Sequence, residues 1–182
     1  MSDRPAYLVY GLEGSGTRML TQILIAAGAL GDGGHGQRFD KELPEATETE
    51  QPLVWRRSFP HAGKTPDVPD MAKRMRDAGW NPYALIIVRD TIANVRAQVP
   101  AHAPGIEEAW QKNQAQMPLM FIGVRGSFLP YEVFTYENMI ARPQAMQEYI
   151  GSLPGLKTPD PLLTIKDANE KHWAKWRARP VQ

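Results

Sequence analysis

Gly11, Gly14 and Gly16 fall within six residues, interleaved with Ser15 and followed by Thr17 and Arg18. Glycines at this density let a backbone approach a ligand closely, and small hydroxyls with a cation beside them suit an anion. The preceding residues, Ala6-Tyr7-Leu8-Val9-Tyr10, form a short apolar run that reads as a buried strand. After the glycines, Met19, Ile23 and Ala26 recur on one helical face with Leu20 and Leu24 beside them. Strand, glycine turn and helix together make an anion cradle. The first N–H groups of such a helix have no internal partners and point at the ligand. The chemistry this stretch offers is binding of a phosphate or sulfate.

The spacing from Gly11 to Gly16 matches a Walker A loop, but the next two residues do not. Thr17 stands where that loop has its lysine, and Arg18 stands where it has the magnesium-binding hydroxyl. Phosphate binding is therefore expected without the usual metal chemistry. Other cations lie further along. Arg56, Arg57, Ser58 and His61 fall at or just after the C-terminal end of Leu53–Ser58, which reads as a second strand. Alternation sends Arg56 and Arg57 to opposite faces, so one of them faces the site. Tyr83–Val88 is the clearest strand, a non-alternating apolar run of the kind covered on both faces, and it ends in Arg89-Asp90. Ligands gather at the C-terminal ends of parallel strands, so Arg89 marks a second anion locus.

The elements that position these groups alternate. A helix is expected from about Gly16 to Ala27, ending at Gly28. A polar glycine-rich loop follows, then an acidic excursion over 39–52, then the second strand. A second helix spans Pro66 to Gly79. Helices follow the third strand over Thr91–Val99 and Ile106–Phe121, the latter kinked at Pro118. Tyr131–Tyr136 reads as a strand, with short helices from Glu137 and from Pro143 to about Ile150. The fold class is α/β: a three-layer P-loop-type domain over 1–182, with a mostly parallel central sheet flanked by helices. Asp90 and Glu137 read as caps or ion-pair partners, and Trp55 and Trp110 as core. The basic, Trp-containing tail reads as a docked amphipathic helix.

Bulk composition narrows the function. The 182 residues carry 21 Lys+Arg against 20 Asp+Glu, so nothing draws the whole chain towards nucleic acid or a membrane. There is no cysteine, which excludes disulfides, thiolate metal sites and a Cys nucleophile. The N-terminus lacks the apolar core of a signal peptide, and the apolar run Ile23–Leu30 is too short to span a bilayer. A soluble, cytoplasmic protein is expected.

Three segments together resemble the sulfotransferase family that uses 3′-phosphoadenosine-5′-phosphosulfate (PAPS). Gly14-Ser15-Gly16-Thr17-Arg18 looks like its phosphosulfate loop. Ile87-Val88-Arg89-Asp90 looks like the strand end whose arginine, with a serine one or two helical turns later, holds the donor's 3′-phosphate. Phe134 to Pro143 is similar to a Y-E-D-L-x-x-x-P stretch late in these proteins. The resemblance covers the sheet core, about half of the chain. It implies transfer of a sulfuryl group from PAPS to a hydroxyl or amine of a small molecule or glycan, releasing adenosine 3′,5′-bisphosphate (PAP), with no metal. Gly14, Ser15, Gly16, Thr17, Arg18 and Arg89 would bind the donor.

Two departures stand out. Gly14 replaces the loop's basic residue, so Arg18 or Arg57 would supply that charge. Ala97 falls where the 3′-phosphate serine belongs, with Asn94, Arg96 or Gln98 as substitutes. Sulfuryl transfer needs charge stabilisation, in-line positioning and a base for the acceptor's proton. Arg57 is the candidate for stabilising the bridging oxygen. His61 and His35 are the candidate bases, with Asp40 or Glu13 as acidic alternatives. The acceptor pocket is expected from the variable loops 29–52, 59–66 and 100–130. Two other readings stay open: a P-loop nucleotide kinase or NTPase, and a catalytically silent nucleotide-binding domain.

Overall fold

The computed structural model describes residues 4–31, 39, 42–99 and 103–169. Four strands form one parallel sheet: β1 (Pro5–Leu12), β2 (Leu53–Phe59), β3 (Asn81–Val88) and β4 (Tyr131–Thr135), in the order β2-β1-β3-β4. Among the described residues six α-helices flank it: α1 (Thr17–Ala26), α2 (Val68–Asp77), α3 (Thr91–Gln98), α4 (Ile106–Gly126), α5 (Tyr136–Ala141) and α6 (Pro143–Gly151). This is the expected three-layer α/β architecture, with every described strand pair parallel.

Strand alternation divides the core. Tyr7 and Val9 of β1, Val54 of β2 and Leu85 and Ile87 of β3 pack under Leu20, Ile23 and Leu24 of α1, Met139 of α5 and Ile150 of α6. The opposite parity (Leu8, Tyr10, Trp55, Phe59, Ala84, Ile86) packs under Met71 and Met75 of α2 and Met120 and Val124 of α4. Each fully buried side chain of this size contributes about 1.5–3 kcal/mol. Both faces of β1 and β3 are covered, so neither strand shows polar alternation.

From β1 the chain crosses to β2 on one side, whereas β3 leads to β4 on the other. The connections leave in opposite directions at the C-terminal ends of β1 and β3, the crevice where open α/β sheets bind ligands.

Two expectations need correction. The helix expected to end near Phe121 runs through Pro118 to Gly126. Its buried stripe of Ala109, Asn113, Met120 and Val124 continues past the proline and holds it. Trp110, expected in the core, is 42% exposed because it lies off that stripe. Trp55 is buried as expected. Asp90 caps α3 by accepting from the Ala93 N–H at 2.9 Å, and Glu137 accepts from the Asp90 N–H at 3.0 Å. The tail beyond Asn169 lies outside the described residues. Among the described residues, no helix is long and apolar enough to cross a membrane.

Candidate active site

The glycine turn follows β1 without a break. The Ser15 N–H closes it onto the Leu12 carbonyl at 3.0 Å. Gly14 and Gly16 have φ of 79° and 104°, values that L side chains rarely adopt. At Gly16 a Cβ would also lie 2.8 Å from the Tyr136 ring, so the turn is packed as well as bent. The first bond of α1 runs from the Leu20 N–H to the Gly16 carbonyl. The N–H groups of Thr17, Arg18 and Met19 thus have no intrahelical partner. Among the described residues no side chain caps this terminus, and no acid stands in its first turn. It is the positive end of a helix dipole, opening onto solvent.

The terminus opens into a cleft of about 1200 Å³, more than the roughly 300–1,000 Å³ typical of a single small-molecule site. Arg18, Arg56, Arg89 and His61 line it, with Glu13 as the one carboxylate among the described lining residues. Two buried arginines hold the loop from opposite sides. Arg56 Nη1 donates to Thr17 Oγ1 at 3.3 Å. Arg89 Nη1 donates to the Gly14 carbonyl at 2.6 Å. β2 and β3 flank β1 at about 4.8 Å each, so Arg56 on β2 and Arg89 just past β3 stand on opposite sides of the loop.

Arg89 is held further. Its guanidinium lies 4.3 Å from the centre of the Tyr136 ring and donates through Nε and Nη2 to Asn169 Oδ1. Tyr136 in turn fastens the segment that bears Asn169. Its hydroxyl accepts from the Ala168 N–H at 2.7 Å and donates to Asp167 Oδ1 at 3.2 Å. Gln147 of α6 grips the same segment, exchanging two hydrogen bonds with the Leu163 backbone. Leu163, Ile165 and Lys166 thereby form one wall of the cleft.

The predicted site residues divide by position. Gly14, Gly16, Thr17, Arg18, Arg89, Ala97 and His61 all line the cleft. Ser15 is buried beneath the turn, with no hydrogen-bond partner for its Oγ among the described residues. Arg57 does not line the cleft. It shares the parity of Trp55 and Phe59, its guanidinium lies 4.7 Å over the Trp55 ring, and it donates to the Arg56 carbonyl at 2.8 Å. Arg56 occupies the position facing the loop. His35 and Asp40 lie outside the described residues.

His61 sits in a tight turn, bonded through its backbone to Lys64. Burial, then Arg57 and Arg56, hold its pKa below the ordinary value of 6.5, against an upward pull from Glu13. Its imidazole is neutral at physiological pH and able to take a proton.

One group is hard to see in the sequence. Asn94 and Gln98 of α3 do not face the cleft. Their amides donate to the Glu13 carbonyl at 3.1 and 2.8 Å. Asn113 of α4 ties them together, accepting from Gln98 at 2.6 Å and donating to Asn94 at 2.7 Å. Lys112, beside it, lies 2.7 Å from the Glu13 carboxylate. The only sequence signal was a run of amides where a helix should be apolar.

Compared with known proteins, the chain matches no family model, and no curated protein is similar to it at a significant level.

Proposed function

We propose that the protein is a sulfotransferase that takes PAPS as donor and passes its sulfuryl group to a hydroxyl or amine of a small molecule or glycan. One observation carries the reading. Arg56 of β2 and Arg89, just past the end of β3, stand either side of β1 and flank an uncapped helix N-terminus in one cleft. A donor with anionic groups at two separate places calls for two such cations. A nucleoside triphosphate calls for a lysine at the loop instead, and Thr17 stands there. A cytoplasmic location goes with this reading.

The residues then take these roles. The N–H groups at the start of α1, with Arg18 and Arg56, hold the donor's 5′ end, and Arg89 holds its 3′-phosphate. The acceptor oxygen or nitrogen attacks sulfur. The bond from sulfur to the 5′-phosphate oxygen breaks, and its electron pair leaves with PAP. His61 takes the acceptor's proton. Arg56 and the helix terminus stabilise the charge that grows on the bridging oxygen. The work is positioning and charge stabilisation, as in phosphoryl transfer.

A second reading, a catalytically silent nucleotide-binding domain, is favoured by Ala97, which lines the cleft with no hydroxyl for a 3′-phosphate. Calorimetry separates the readings. PAP is titrated in EDTA, and ATP with magnesium, into the protein and its Arg89→Ala variant, followed by an acceptor screen with PAPS. Metal-free PAP binding that is lost in the variant, with turnover, supports the sulfotransferase. PAP binding without turnover on any acceptor supports the silent domain. Binding of ATP only with magnesium overturns both in favour of a kinase.

A further inference from the structure

An anion-binding loop that begins with a carboxylate works against itself unless that charge is cancelled. Glu13 is the first residue of the turn and lines the cleft mouth. Three elements hold it. Its N–H donates to the Phe59 carbonyl of β2 at 3.3 Å, and its carbonyl accepts from Asn94 and Gln98 of α3. Its carboxylate meets Lys112 Nζ of α4 at 2.7 Å, with side chains only 10% and 23% exposed. Solvent screens a pair at that depth poorly.

We propose that Lys112 is a positioning residue of the donor loop: by pairing with Glu13 it removes the negative charge at the cleft mouth and ties the turn to α4, so that an anion can enter. This rests on the donor reading above. Lys112 touches no reacting group and acts through Glu13. His61, in the turn after β2, feels the charges of Arg57 and Arg56 and, in the opposite sense, that of Glu13. With Lys112 gone, the carboxylate would oppose the incoming anion and draw a proton onto His61.

The test is a cycle of Lys112→Met, Glu13→Gln and the double variant, with Lys112→Arg as the conservative control. PAP affinity is measured by calorimetry in EDTA, and the His61 ring titration by NMR. Lys112→Met is expected to weaken PAP by about tenfold, the usual order of coupling between linked sites, and to raise the His61 midpoint. Glu13→Gln alone should bind at least as tightly as the parent. The double variant should recover both the affinity and the midpoint, and Lys112→Arg should keep both. A purely structural lysine would weaken the double variant as much as the single one, and that result overturns the proposal. If the parent binds no PAP, the donor reading fails. The His61 titration then decides the charge relation alone: an unmoved midpoint in Lys112→Met sinks it.

Discussion

Arg56 and Arg57 are adjacent, alike and close to the same loop, so a matched pair of substitutions tests the site at single-residue resolution. Arg56→Met removes a cation that faces the loop through Thr17. A hydrogen bond to a charged group contributes about 1.5–3 kcal/mol. At 1.4 kcal/mol per tenfold, PAP affinity should fall by roughly 10- to 150-fold. Arg57→Met removes a stack over Trp55, worth about 0.5–2 kcal/mol, and a bond to the Arg56 carbonyl, worth about 1.5–3 kcal/mol by the same measure. Those contacts belong to the fold, so affinity should stay within about threefold, under 1 kcal/mol. The midpoint of unfolding should instead drop by about 2–4 °C for each kcal/mol lost in a chain of this length. Calorimetric titration with PAP and differential scanning calorimetry read the two effects separately. If Arg57→Met abolishes PAP binding while Arg56→Met keeps it, the assignment of faces is wrong and the donor lies on the α2–α4 side of the sheet.

Three further outcomes follow from the same geometry. Ala97 lies beside Gly14, 3.2 Å from where a Cβ there would stand, so Ala97→Ser brings a hydroxyl to the cleft wall. PAP should bind about tenfold tighter, as one hydrogen bond to a charged group allows, and an unchanged affinity would remove the 3′-phosphate from that wall. Gly16→Ala forces a positive φ on an L residue and drives a methyl to 2.8 Å from Tyr136. A loss of about 2–5 kcal/mol is expected in urea unfolding, and an unshifted midpoint would show that the turn is not packed as described. His61 titrates below 6.5 when folded and near 6.5 when unfolded. Between those values the unfolded chain holds more protons, so stability rises with pH through that window and is lost as pH falls through the folded pKa. Arg57→Met removes one of the causes, so the NMR midpoint of His61 should rise. A downward shift would contradict the placement of that charge.

The frame of the protein could be read from the sequence because its signals are local. β1 and β3 are unbroken apolar runs ending at a glycine turn and at Arg89, and burial on both faces suppresses alternation in both. The glycines of the loop announced themselves because positive φ and close packing admit little else. The face on which the chemistry sits is a different kind of fact. Leu53, Val54 and Trp55 are all apolar and all buried, so β2 carries no parity signal of its own. Only the crossing of α1 over the Val9–Val54 side decides that Arg56, and not Arg57, meets the loop.

The support of the loop was hidden for a further reason. Glu13 and Lys112 stand 99 residues apart, and nothing near either of them marks the pair. Gln98 and Asn113 look like defects in amphipathic helices until Gln98, with Asn94, is seen to converge on the Glu13 carbonyl and Asn113 to brace them both. Buried amides persist only where their bonds are made. These brace a turn that leads into a helix whose first N–H groups are left open towards the cleft. An open helix terminus at the mouth and a polar network behind it are therefore two sides of one requirement. The loop must keep its N–H groups free for an anion, so its shape has to be held from α3 and α4 instead. Loss of a single amide, as in Gln98→Leu, should accordingly weaken PAP binding although Gln98 never reaches the cleft. If PAP affinity in that variant matches the parent while its unfolding midpoint falls, the network supports the fold alone.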